Sequence, residues 1–291
     1  MIKLLKVLLI IVCSMGFTLS QELHILYTQN TNGVLQNCHC PANPLGGMEK
    51  RAAFVAQWRS EYPNTLLFDS GDLLSFNSDI VSDAKILRAV DALNYSAVNI
   101  GDQEFSNGIQ FLQSNINTSE IPWVASNLRI TNNSSFNVPT LRIINVAELN
   151  VLVMGVIDSE SFQFFHRIYG DLNLDVSDPI KAVQEAYNNA IISSRIDLVI
   201  LLSNLGYDED LHIPLDLDFI DIIIGGHTQN QFEIPVVAEN TIITQCGKNG
   251  EYLGHLELQF EKRKLIAHSG ELIPMDLSIK DDEAMLKLIS E

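Results

Sequence analysis

Short apolar runs recur along the chain, each closed by glycine, amide or carboxylate residues, and in the first half they alternate with segments of helical spacing. Residues 23–28 (LHILYT) alternate and are rich in β-formers, which predicts the first strand. A long polar loop, 29–47, follows. Over 48–62, Met48, Ala52, Val55 and Trp58 share one helical face. The same reading predicts a strand at 65–68, a helix at 80–93, a strand at 97–100, a helix at 105–114 and a short strand at 123–125. Residues 128–148 predict a peripheral hairpin with a polar tip at 131–137. Then come a buried strand at 151–157 and a helix at 178–195, with Asp178 as N-cap and Pro179 in the first turn. Strands at 198–202, 222–224, 241–245 and 252–260 and a short C-terminal helix at 281–291 complete the pattern. Alternating strands and helices, with strands dominating the end and no internal repeat, predict one α/β domain.

Composition narrows the function classes. With 291 residues, 46% of them hydrophobic, the chain can bury a sizeable core. A formal net charge of −18 excludes the basic face that nucleic-acid binding needs. At the N-terminus, Lys3 and Lys6 flank and enter an apolar run at 4–12, and Thr18-Leu19-Ser20 is an acceptable cleavage site. Residues 1–20 therefore read as an export signal, with a mature domain at 21–291 that is periplasmic or extracellular; an uncleaved anchor is the alternative. The run is short for a membrane span, and no other stretch is long and apolar enough to cross a bilayer. Bulky Val12 before Cys13 argues against a lipoprotein signal. Sequons at Asn94, Asn117, Asn132 and Asn133 matter only in a host that glycosylates.

Five loops carry the polar chemistry, each just after an apolar strand: TQNTNG (28–33), SGDLL (70–74), IGDQEFSNG (100–108), LSNLG (202–206) and GGHTQN (225–230). In α/β proteins the carboxyl ends of strands are where ligands and metals bind. Taken singly, each loop also reads as a tight polar turn, and Asn30 and Asn32 beside Gly33 are common turn residues. Together, the five can converge on one edge.

The pattern resembles the calcineurin-like metallophosphoesterase superfamily and, within it, the exported 5′-nucleotidases. The resemblance runs from about Leu23 to the end and includes GGMEKRA (46–52), ALNYSAVNIGDQEF (92–105) and GKNGEYLGHLEL (247–258). It implies a four-layer sandwich, two β-sheets flanked by helices. It also implies a C-terminal substrate-binding domain, which is not expected here because the chain stops at IPMDLSIKDDEAMLKLISE, where that domain would begin.

Departures from the family pattern fall on the chemistry. Asn30 and Asn32 stand where the family has Asp and His as metal ligands. Asp72 matches the metal-bridging Asp. Asp102 and Gln103 occupy the positions of a ligand Asn and the catalytic His, and Ser106 that of the Asp orienting this His. Asn204 replaces a ligand His, His227 matches one, and Gln229 sits where relatives use His or Gln. An amide does not titrate near neutrality, so Gln103 cannot act as the acid, a loss that commonly costs about 10²–10⁴-fold. Two carboxylates remain, one of them moved, while imidazoles are fewer. Such an oxygen-rich set suits Mg²⁺ or Ca²⁺ better than Zn²⁺ or Mn²⁺. The expectation is a catalytically degenerate module that binds a metal or a small phosphorylated ligand; the alternative is a divergent metal-dependent phosphoric-ester hydrolase.

Cys38-His39-Cys40 lies in the first loop. Three donors in a row are incomplete for structural zinc, which normally takes four ligands at wider spacings. The resemblance brings Cys246 near, so a disulfide, a metal or redox role and free thiols all stay open. His24, His166, His212, His255 and His268 show no partner in the sequence, and Trp58 and Trp123 read as packing residues.

Overall fold

The computed structural model describes residues 21–37, 43–130, 138–169 and 174–291. Residues 1–20, read from the sequence as an export signal, Cys38, Cys40 and the 131–137 tip lie outside these residues. In chain order the elements begin β1 (Gln21–Thr28), α1 (Met48–Glu61), β2 (Thr65–Asp69), α2 (Ile80–Ala92) and β3 (Ala97–Asn99). A single 3₁₀ turn (Gln103–Phe105) precedes α3 (Ile109–Thr118), β4 (Trp123–Val124), β5 (Leu128–Ile130), β6 (Leu141–Val146) and β7 (Leu149–Ile157). Next are α4 (Ser159–Tyr169), β8 (Leu174–Val176), α5 (Pro179–Ser193), β9 (Leu198–Asn204), α6 (Tyr207–Asp210) and α7 (Ile213–Asp216). The chain closes with β10 (Ile222–Gly225), β11 (Val236–Ala238), β12 (Thr241–Thr244), β13 (Tyr252–Glu261), β14 (Lys264–Pro274) and α8 (Glu283–Ser290).

Two six-stranded sheets result, ordered β14-β13-β1-β2-β3-β4 and β11-β12-β10-β9-β7-β6. β1 to β4 pair in parallel, as do β7, β9, β10 and β12. Side-chain alternation along β1 explains the layering. Leu23, Ile25 and Tyr27 point into a core between the sheets, where they meet Phe68, Val151, Val153, Ile200, Ile222 and Leu256. Leu26 faces the other way, onto Met48, Val55, Ile86, Val90 and Met285 from α1, α2 and α8. On the far side, Leu152, Met154, Val199 and Leu201 pack against Val183 and Ala186 of α5 and Ile213 of α7. The architecture is therefore helix, sheet, sheet, helix, the four-layer sandwich expected.

Tyr27 ties the sheets together: its hydroxyl meets Thr244 Oγ1 at 2.5 Å. Its ring fills the space that a side chain at residue 254 would need, so Gly254 is what lets β13 pass.

Two local expectations need correction. The arms of the 128–148 segment do not pair as a hairpin: β5 pairs with β8 and β6 with β7. The helix expected at 105–114 is split, because Gly108 at φ +81° ends the 3₁₀ turn and starts α3. His24 and His255, for which the sequence reveals no partner, are satisfied by each other. Their rings meet at Nδ1···Nε2 3.0 Å on adjacent strands, and Glu22 and Glu271 face their other nitrogens. Trp123 is buried and Trp58 packs on the outer core, as read.

Candidate metal centre

Parallel register brings the carboxyl ends of strands from both sheets to one edge. Thr28 lies beside Asp69, Gly225 beside Ser203, and Ile157 beside Asn204. Polar bonds cross between the sheets here: Ser70 Oγ donates to Ile224 O at 2.7 Å, and Asn99 Nδ2 to Val156 O at 2.8 Å. Gly71 packs on the Gly101 backbone, so the second and third loops touch. Asn30, Asn32, Asp72, His227 and Gln229 all have positive φ, +45°, +53°, +59°, +65° and +56°. Non-glycine residues take this left-handed form at a cost, and where they gather they mark turns that place side chains for function.

Asp72, Asp102 and His227 meet at the centre, each offering a ligand atom within 4.8 Å of the others. His227 Nδ1 stands 3.3 Å from Asp102 Oδ1 and 3.9 Å from Asp72 Oδ2. Asn30 Nδ2 donates to Asp72 Oδ2 at 3.1 Å and reaches the His227 carbonyl at 3.4 Å. The Asn204 amide lies against Asp72, and Gly101 must lack a side chain because both groups occupy that space. Asn32 is turned to other work: it donates to Asn249 Oδ1 at 2.9 Å and accepts from Gln103 Nε2 at 3.1 Å. Gln229, on the fifth loop, is half-buried and is not among the three convergent ligands. Gln103 thus spends its amide on Asn32, and Ser106 is buried three residues further on.

Electrostatics at this centre are unfavourable for a bare pair of carboxylates. Burial, then the nearby Asp102 and Glu104, push Asp72 well above the ordinary carboxylate range. The hydrogen bond to Asp102 raises His227. Burial also lifts Glu104 to about 7 against the pull of its backbone bonds. Those bonds make Glu104 the brace of the site. One oxygen accepts Leu73 N at 2.7 Å and Leu74 N at 3.4 Å, the other Gly101 N at 2.6 Å and Asp72 N at 3.1 Å. Beneath the first loop, buried Arg51 donates to Thr31 Oγ1 and Tyr95 Oη, while Thr28 Oγ1 donates to Asp69.

Several contributors were not anticipated as site residues. Glu104 was in view within GDQEF, but its role depends on two loops meeting. The turn from β7 into the start of α4 brings Asp158 and Ser161: Ser161 Oγ lies 3.3 Å from His227 Nε2. The Asp-Ser-Glu-Ser run directly after an apolar strand is the signal that could have found it. Cys246 is buried, with its thiol toward the Tyr27 carbonyl at 3.6 Å.

The residues present fit a divalent cation. Buried acceptors Asn30 Oδ1, Gln103 Oε1 and Asn204 Oδ1 have no hydrogen-bond donor among the described residues, which is costly unless something else is bound there. A cation at Asp72, Asp102 and His227 would also relieve the carboxylate repulsion. The four-layer fold with this centre at the strand ends is similar to that of calcineurin-like phosphoesterases. Among solved structures the chain is similar to the 5′-nucleotidase precursor from Thermus thermophilus (TM-score 0.81, 21% identity, 92% of this chain and 58% of that one). It is also similar to the calcineurin-like phosphoesterase YfkN from Bacillus subtilis (TM-score 0.76, 18% identity, 93% and 96%). No family model matches the chain. By sequence it is 26% identical to the snake venom 5′-nucleotidase of Naja atra over 305 residues, 93% of this chain and 56% of that protein. It is 24% identical to the human 5′-nucleotidase, over 91% and 51%. By sequence, then, the chain resembles the 5′-nucleotidases, and it spans about half the length of the curated relatives it matches.

Proposed function

We propose that this exported domain binds one hard divalent cation, Mg²⁺ or Ca²⁺, at Asp72, Asp102 and His227, with the oxygen of Asn204 completing an oxygen-rich set, and that it has lost the phosphoester hydrolysis of its relatives. The observation that carries the cation is the trio of convergent ligand atoms surrounded by donorless amide oxygens. A bound cation would supply charge neutralisation and would orient a phosphoryl oxygen of a small phosphorylated ligand. A single cation is favoured over a pair because Asn32 of the first loop is held away from the centre by Asn249 and Gln103.

Loss of hydrolysis rests on Gln103. Its amide occupies the place of the general acid and cannot deliver a proton near neutrality. Ser106 likewise offers no charge to orient an acid. A divergent hydrolase is the competing reading, favoured by the retention of two carboxylates and one imidazole at the centre. The deciding experiment assays nucleoside monophosphates and aryl phosphates with Mg²⁺, Ca²⁺, Mn²⁺ and Zn²⁺, for the wild type and Asp72→Ala. Turnover above about 1 s⁻¹, near ordinary enzyme rates, that vanishes in the variant would establish the hydrolase and end the degenerate reading.

A further inference from the structure

We propose that Ser161, held by Asp158, is a positioning residue that accepts from Nε2 of His227, orients the ring and so presents Nδ1 as its cation-binding atom. This rests on His227 being a ligand, as proposed above. The geometry has a direction. Ser161 Oγ donates to Asp158 Oδ2 at 2.7 Å, which leaves its lone pairs free on the other side. There His227 Nε2 lies 3.3 Å away. With the hydroxyl proton committed to Asp158, Ser161 can only accept from the ring. His227 Nε2 then carries a hydrogen, which leaves a cation only Nδ1, the nitrogen that faces Asp102 at 3.3 Å and Asp72 at 3.9 Å. Second partners of this kind fix the ring of a metal-binding histidine and hold its basic nitrogen toward the ion.

The support is rigid. Asp158 also accepts Ser161 N at 2.8 Å, closing the first turn of α4. Phe162, the next residue, is buried and meets Phe105 edge-on at 4.9 Å. Phe105 belongs to the 3₁₀ turn that follows Asp102. The loop after β7 is therefore anchored to the loop that carries the second carboxylate, so hydroxyl and carboxylate grip opposite edges of one ring.

Calorimetric titration with Mg²⁺ tests this. Affinity should be about 10–100-fold weaker for Ser161→Ala, the range typical of lost outer partners, and should recover in Ser161→Thr, which restores the hydroxyl. Ser161→Ala keeps the backbone bond to Asp158, so α4 retains its start. Mg²⁺ affinity equal to wild type in Ser161→Ala, or no recovery in Ser161→Thr, would overturn the proposal and leave the cation reading standing. If the wild type bound no Mg²⁺, the cation reading would fall and the positioning claim with it.

Discussion

Replacing Asp210 with Asn should stabilise the protein at alkaline pH and do little at acid pH. Asp210 is fully buried against Ser203 and Gln245, and burial raises its carboxyl from 3.8 to about 7. Gly225 has no side chain where Asp210 and Gln245 fill the space, and Gln245 Oε1 accepts Asn230 N at 2.9 Å, so this acid underpins the loop that carries His227. The native chain holds the proton longer than the unfolded chain does. The stability this provides is complete below 3.8 and is lost as pH rises through about 7. A shift of this size corresponds to about 4 kcal/mol in full, of which about 3 kcal/mol falls between pH 5 and 8. Asn mimics the protonated acid and does not titrate. Urea unfolding of both proteins at pH 5 and 8 should therefore show the difference moving by about 3 kcal/mol in favour of Asp210→Asn, or roughly 6–12 °C in Tm. Other titrating groups cancel in the comparison. A difference that stays constant within about 1 kcal/mol, or moves the opposite way, would refute the assignment of Asp210 as a neutral buried acid.

Gly254→Ala should destabilise by about 3 kcal/mol in chemical denaturation, because the added methyl lands on the Tyr27 ring in the packed inter-sheet core. Asn30→Asp removes a donor to Asp72 and adds a third carboxylate beside Asp72 and Asp102; without metal, stability should fall by about 2 kcal/mol, and added Mg²⁺ should recover it in a thermal melt. Burial depresses His255 below 6.5, so the unfolded chain takes up that proton first as pH falls, and stability declines below about 6.5. His255→Phe should flatten that acid limb in a pH series of unfolding curves.

How far the sequence revealed the molecule follows from which contacts are local. Buried parallel strands such as β7, β9 and β10 are continuous apolar runs, so their positions were legible along with the loops they launch. β14 was missed because it is an edge strand, mostly exposed, with no alternating apolar face. The 128–148 segment looked like a hairpin because its two apolar arms have hairpin spacing. Their partners, β8 and β7, lie in later segments, and distance along the chain hides such pairing. The candidate ligands could be named, but their separation into central and peripheral could not. Asn32 carries the same amide as Asn30 and Asn204, and contact with Asn249, 217 positions away, turns it from the centre. Glu104 illustrates the same limit, since a carboxylate in a polar loop looks like a ligand until four backbone N–H groups from two loops are found on it.

The central claim is a single hard cation held by Asp72, Asp102 and His227. Its most direct test is calorimetric titration of metal-stripped wild type and Asp72→Ala with Mg²⁺ and with Ca²⁺ at about pH 7.5, where the oxygen donors favour these ions. The account predicts saturable binding of one ion per chain to the wild type and none to the variant. Two ions per chain, no binding to the wild type, or binding that survives Asp72→Ala would contradict it.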